Sequence, residues 1–414
     1  MSSPRRPLPQ GLVLATCAIV GAVAALAALL AWAGDDEVPA AAPDAAVTTT
    51  TPPSTTAPPG TPPPSTGPGP EPVACPDGVP QPVCEAADYV QRETGRPFRQ
   101  FPAVDLEDDE GFVARLMEGA DEELAEVEAF GQTMIALGLL DADVDVVTSL
   151  RELYSVGVVG FYDPEEDVLV VKGANYSPYT RIVLVHELVH ALDDQWFDLD
   201  RPEQEDAGSE AAFGFSALVE GHARVLENRY RGQLTADQQR EATREELRMV
   251  LGAGVDLASL PPVLVDMLGA PYELGEPLVD AVLASGGEDA VAEAFARPPA
   301  TSEQVLHPEL YASGEAAVDV PVPPADGPVV EEEVIGEHGL RLLLHDEDAA
   351  RGWGGDHYVT WTDAGRVCTR IDVVFDTGAD LAEARGPLAR SGRTVEDATI
   401  AGRSGLRVTS CTPT

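Results

Sequence analysis

The chain has 414 residues, 71 of them acidic and 26 basic, for a formal charge of −45 at pH 7. Such a surface excludes nucleic acid and anionic lipid as electrostatic partners, although acidity alone names no substrate. Once the N-terminal segments are set aside, about 340 residues remain, enough for one large or two moderate domains with a sizeable core.

Residues 1–10 include Arg5 and Arg6, and residues 11–33 then carry no charge before Asp35, Asp36 and Glu37. A run of that length spans a bilayer, and the Arg pair keeps the N-terminus in the cytoplasm. The expectation is a single-pass transmembrane anchor that binds the chain to the cell membrane and leaves the rest extracellular. A signal peptide is the rival, since Ala31-Trp32-Ala33 fits a cleavage site, and would give a secreted protein. Residues 34–73 are rich in Pro, Thr and Ala and too poor in large apolar residues to bury a core. They predict a disordered stalk, of which residues 37–73 reach up to roughly 110 Å at about 3.1 Å per residue.

Ordered structure is expected from Cys75. The pairs Cys75/Cys84 and Cys368/Cys411 suggest two local disulfides in an oxidising compartment. Cys84 to Thr94 reads as a helix, and Asp109 to Leu140 as two helices broken near Gly119. From Val156 to Lys172 the period changes. Two β-like runs, Val156–Tyr162 and Val168–Val171, are joined by Asp163-Pro164-Glu165-Glu166-Asp167, which predicts a hairpin.

The next helix is expected to start between Asn175 and Thr180, with Ser177 or Thr180 as its cap and Pro178 in the first turn. It carries His186-Glu187-Leu188-Val189-His190 inside an apolar run. Residues four apart share a helix face, so both imidazoles can reach one metal ion. A zinc ion held by two His and a third ligand keeps one position open for an acidified water. Glu187, about 100° round the axis, can take a proton from that water without being a ligand. The rival reading is a pair of core histidines. Asp193 and Asp194, three and four residues past His190, either support a ligand His or are solvated helix-end charges.

A second buried helix is expected over about Ser209 to Tyr230. Glu220 on its apolar face is costly unless paired or metal-bound. Gln233 to Val250 reads as a charged helix. Pro271-Tyr272-Glu273-Leu274-Gly275 opens a further helical segment, with Tyr272 as an oxyanion donor or an ordinary helix-start aromatic. Thr301 or Ser302 caps a short helix presenting His307, which either serves the transition state or is structural. Pro321 to Pro328 reads as a linker. Beyond it the pattern is helix, strand, strand, helix, strand, with Tyr358–Trp361, Val367–Phe375 and Leu406–Ser410 as strands and Leu381–Leu388 as a helix.

These motifs resemble the gluzincin metallopeptidases, the thermolysin-like and aminopeptidase N-like enzymes, over roughly Gly157 to Tyr311. H-E-x-x-H is followed by V-E-G-H-A at Val219–Ala223, close to the N-E-G-x-A of the aminopeptidase N group, and P-Y-x-x-G at Pro271–Gly275 matches that group too. The run Pro298 to Glu309 looks like one in bacterial metallopeptidase-like proteins that also carry H-E-x-x-H. The resemblance implies that Glu220 is the third zinc ligand beside His186 and His190. It further implies that Glu187 is the general base, that Tyr272 steadies the oxyanion, and that one hairpin strand pairs with substrate. Two departures stand out. Arg224 replaces the Asp that supports the first His in thermolysin-like enzymes, and the G-x-M-E-N grip on a free N-terminus is missing.

The expected fold class is α+β: a zincin-like catalytic domain over residues 74–320, with a small antiparallel sheet and a helical half, then a small α+β domain over residues 329–414. The expected function is zinc-dependent hydrolysis of peptide or protein substrates, with Glu187, Tyr272 and His307 as catalytic candidates. The alternative is a non-catalytic zinc-binding protein of the cell surface.

Overall fold

The computed structural model describes residues 73–116, 124–155, 159–173, 175–201, 208–252, 255, 259–390 and 392–412. In chain order these form α1 (Gln81–Thr94), β1 (Ala103–Glu107), α2 (Asp109–Leu116), α3 (Leu124–Leu137), α4 (Val146–Ser155), β2 (Gly160–Asp163), β3 (Val168–Lys172) and α5 (Pro178–Phe197). Then come α6 (Ser209–Gln233), α7 (Ala236–Gly252), α8 (Pro262–Gly286), α9 (Glu288–Ala296), α10 (Ser302–Leu306) and α11 (Pro308–Ser313). The rest is β4 (Val329–Glu333), α12 (Gly336–Leu344), α13 (Glu347–Ala350), β5 (Trp353–Asp363), β6 (Arg366–Phe375), α14 (Gly378–Leu388), β7 (Thr394–Ile400) and β8 (Arg403–Cys411). Long helices and two sheets make the class α+β.

The hairpin is present: β2 and β3 pair antiparallel, and Asp163 Oδ1 accepts from the backbone N–H groups of Glu165 and Glu166 in the turn. The sheet is nevertheless mixed rather than purely antiparallel. β1 adds to β3 in parallel, giving the order β1-β3-β2. A parallel partner needs a long crossover, and the helices between β1 and β3 provide it. The central strand β3 is buried on both faces from Val168 to Val171, as its unbroken apolar run requires.

The second sheet is antiparallel, in the order β4-β5-β6-β8-β7. The expected strands at 358–361, 367–375 and 406–410 lie inside β5, β6 and β8. Pattern reading missed β4 and β7, which are the two edges. Glu331-Glu332-Glu333 and Glu396-Asp397 fill them with acids, a common way to guard an edge that hides the strand signature. Cys368 and Cys411 face each other across β6 and β8 and are disulfide-bonded, and Cys75 is bonded to Cys84 at α1. Both disulfides fit an oxidising compartment.

One apolar core runs without interruption from α2–α4 and the start of α8 into α12, α14 and the faces of β5, β6 and β8. Buried Arg393 donates to the Leu137 carbonyl of α3 and the Leu343 carbonyl of α12, tying the two together. A second core joins α1, β2, β3, α5 and α6, and a third joins α6, α8, α9 and α10.

One expectation is corrected. Among the described residues no helix is long and apolar enough to cross a membrane. The transmembrane placement and the membrane localisation drawn from it are therefore withdrawn. Residues 11–33 and the stalk to residue 72, on which they rested, lie outside the described residues.

Candidate metal centre

The centre is built on α5. Ser177 caps it, its Oγ accepting from the Thr180 backbone N–H at 3.1 Å, and Pro178 occupies the first turn, where no helical N–H is needed. Every residue from Leu184 to Asp193 is buried. The imidazoles of His186 and His190 therefore emerge one turn apart inside the protein, with ring centroids 4.7 Å apart.

Glu220 arrives from α6. Its Oε2 is 3.2 Å from His186 Nε2 and 3.5 Å from His190 Nε2, and one ligand atom from each of the three residues falls within 4.8 Å of the others. All three side chains are at most 2% exposed. The approach depends on glycine. α6 crosses α8 so closely that a Cβ on Gly221 would stand 2.2 Å from the Gly275 carbonyl oxygen, and one on Gly275 would stand 2.0 Å from the Ala217 oxygen. The glycines of V-E-G and P-Y-x-x-G thus meet at one crossing.

The residues fit a cation. Both ring nitrogens of buried His190 and Oε1 of buried Glu187 have no hydrogen-bond partner. Leaving such atoms bare costs about 1–3 kcal/mol each, whereas a metal ion would engage one nitrogen of His190. Burial works against charge on Glu220, yet the neighbouring imidazoles outweigh it and hold the carboxyl down at about 2. Burial also lowers His190 and keeps it neutral, as a ligand must be. For His186, burial is overcome by the carboxylates of Glu220 and Glu227, which pull the imidazole up to about 10. The buried carboxylates of Glu220 and Glu227, both held down at about 2, face this spot, so positive charge is favoured there. Among the described residues this trio of His186, His190 and Glu220 is the one group with metal-ligand spacing. The group can hold a metal ion.

Glu187 lies on the adjoining side. Its Oε2 accepts from the Tyr162 N–H of β2 at 3.1 Å. Burial, reinforced by Glu220, pushes its pKa well above the ordinary carboxyl value, against the pull of His186. Tyr272, buried in α8, has its ring 6.2 Å from that of His186. It sits mid-helix rather than at a helix start. α8 begins nine residues earlier than expected and contains Pro271 and Pro277. Each proline removes one helical hydrogen bond, and the close packing on α6 holds the helix through both.

The support for the ligand histidines differs from the expected one. Asp193 accepts from His222 Nδ1 at 2.7 Å, and Asp194 accepts from the Tyr162 hydroxyl and the Leu199 N–H. Neither carboxylate hydrogen-bonds to His186 or His190. Glu227 does: its Oε2 lies 3.2 Å from His186 Nδ1, and Arg224 donates to both of its oxygens at 3.0 Å. Arg224 therefore anchors the carboxylate that serves the first His. The signal in the sequence was a second Glu seven residues after Glu220, two turns along the same face. His307 is not brought to the group. Its Nε2 pairs with Glu337 of α12 at 3.0 Å, near Glu210 and Glu303.

No family model, curated protein or solved structure matches the chain.

Proposed function

We propose that the protein is a zinc-dependent peptidase of the gluzincin kind, with a zincin-like arrangement around α5 and α6. The observation that carries the reading is the buried convergence of His186, His190 and Glu220 beside a Glu187 with one unpartnered oxygen. Two imidazoles and a carboxylate are a donor set suited to zinc, which when bound supplies a Lewis acid that acidifies water and polarises a carbonyl.

The chain's own residues divide the remaining work. Glu227 fixes the ring of His186 through Nδ1, leaving Nε2 for the ion. Glu187 is held through Oε2 by Tyr162, so Oε1 is the atom that takes the proton of the attacking water. The proton it takes is then passed to the leaving amine. Tyr272 offers a phenol to the developing oxyanion. β2, the sheet edge nearest Glu187, is the strand positioned to grip a peptide backbone. His307, paired to Glu337, is assigned no step.

The test is hydrolysis of a mixed peptide library by wild type and Glu187→Gln. Wild type should cleave in a chelator-sensitive way. The variant should retain its zinc and lose about 10²–10⁴-fold in rate. Zinc without cleavage by wild type would favour a non-catalytic zinc-binding protein. Undiminished cleavage by the variant would remove Glu187 from the mechanism.

A further inference from the structure

We propose that Tyr162 is a positioning residue for Glu187, a clamp with two ends: its backbone N–H holds Oε2 of Glu187, and its hydroxyl, anchored on Asp194 two turns farther along α5, fixes where that N–H stands. The role assigned to Glu187 rests on the peptidase reading above; the clamp adds what aims its free oxygen.

The register of the hairpin releases the N–H for this work. Lys172 N–H donates to the Val159 carbonyl at 2.9 Å, and β2 runs antiparallel to β3 with Gly160 opposite Val171 and Tyr162 opposite Leu169. In an antiparallel pair, residues that exchange hydrogen bonds alternate with residues that do not. Val159 and Phe161 therefore turn their polar groups to β3, whereas Gly160 and Tyr162 turn theirs away from it. The Tyr162 N–H donates instead to Glu187, at 3.1 Å.

The side chain reaches farther along the same helix. β2 lies over one stripe of α5: a Cβ on Gly160 would meet Val183 Cγ1 at 3.6 Å and Glu187 Cγ at 4.0 Å, and the Tyr162 hydroxyl is 2.7 Å from Asp194 Oδ2. Val183, Glu187 and Asp194 follow one another at intervals of four and seven residues, the spacing of one helix face. Glu187 and Asp194 are about 10 Å apart along the axis, and one buried tyrosine bridges them, backbone at one end and phenol at the other. Asp167 Oδ1 shares the hydroxyl hydrogen at 2.9 Å. It belongs to the hairpin, so it steers the phenol but cannot tie the hairpin to α5. Asp194 supplies that tie, and its other oxygen is fixed by the Leu199 N–H at 2.9 Å.

The clamp selects one orientation of the base. A carboxylate has two equivalent oxygens. With Oε2 held, Oε1 is the oxygen left without a partner, and its direction is set by where β2 stands on α5. A reacting group misplaced by about 1 Å costs up to about 10²-fold in rate. Neither Tyr162 nor Asp194 hydrogen-bonds to His186, His190 or Glu220. The clamp therefore acts on proton transfer and not on metal uptake.

The experiment compares full zinc-loaded chains of wild type, Tyr162→Phe, which removes only the hydroxyl, and Asp194→Ala, which removes the anchor on α5; either folded variant suffices. Two quantities are read. One is kcat and KM on a peptide that wild type cleaves. The other is hydrogen exchange of the residue-162 amide relative to that of Phe161, which faces β3, in chains labelled with nitrogen-15 at Tyr and Phe. Zinc content should stay at the wild-type level, kcat should fall about tenfold with KM within about twofold, and the residue-162 amide should exchange about tenfold faster relative to Phe161. A hydroxyl that only stabilises the fold would lower the melting temperature and leave kcat per zinc-loaded chain and the exchange ratio unchanged, which would overturn the clamp. A lower kcat with an unchanged exchange ratio, or faster exchange with undiminished kcat, would overturn it too. If wild type cleaves nothing, the exchange ratio decides: raised, it upholds the clamp on Glu187 and only the peptidase reading fails; unchanged, it overturns the clamp.

Discussion

At the scale of single residues, the proposed role of His186 as a zinc ligand depends on Glu227. It accepts at Nδ1, and Arg224 holds both of its oxygens. Glu227→Gln keeps the shape but loses the charge, so zinc affinity should fall about 10–100-fold with little change in fold, as measured by competition with a chelating dye. Unchanged affinity would make Glu227 a mere packing group. Glu303 and Glu210 provide a separate test. Burial first, then neighbouring carboxylates, raises Glu303 to about 8, and burial raises Glu210 to about 7 against the pull of Ser302. A carboxyl with a raised folded pKa favours the folded state while protonated. The contribution is complete below the unfolded value near 4.5 and is lost as pH rises through about 7 to 8. The melting temperature should accordingly decline between about pH 5 and about pH 9, and less steeply in Glu303→Gln. Parallel curves would show that Glu303 is ionised throughout.

Among the elements, the α6–α8 crossing sets the distance between Glu220 and Tyr272. Gly275→Ala would place its Cβ against the Ala217 backbone oxygen, which cannot rotate away. The helices must part, costing about 1–3 kcal/mol, and zinc affinity should fall with stability. A variant with wild-type melting temperature and zinc affinity would contradict the role of the crossing. The elements also explain what was legible beforehand. The convergence of His186, His190 and Glu220 could be read because helical spacing puts H-E-x-x-H on one face and V-E-G on a neighbouring helix. Ser177 and Pro178 could be read because capping is local. Glu227 was obscured because its partner comes from another helix, and Asp193 misled because proximity on α5 does not reveal that His222 lies opposite. β4 and β7 were lost to their own acids. The start of α8 was misplaced because Pro271 is a local stop signal that tertiary packing overrides.

At the scale of the molecule, the Pro-rich stretch at 321–328 suggested a break, yet the principal core passes from α3 and α8 straight into the second sheet. Removing the Cys368–Cys411 disulfide as Cys368→Ser/Cys411→Ser should lower stability by about 2–4 kcal/mol. With that core shared, one cooperative transition should remain in calorimetry, shifted down. Two separated transitions would show that the sheet melts on its own. The most direct measurement of all is the metal content of the purified full chain, wild type beside Glu220→Ala. Near one zinc per wild-type chain, lost in the variant, is expected if His186, His190 and Glu220 form the site. A folded wild-type protein that takes up no zinc, or a Glu220→Ala variant that holds it equally well, would contradict the central claim.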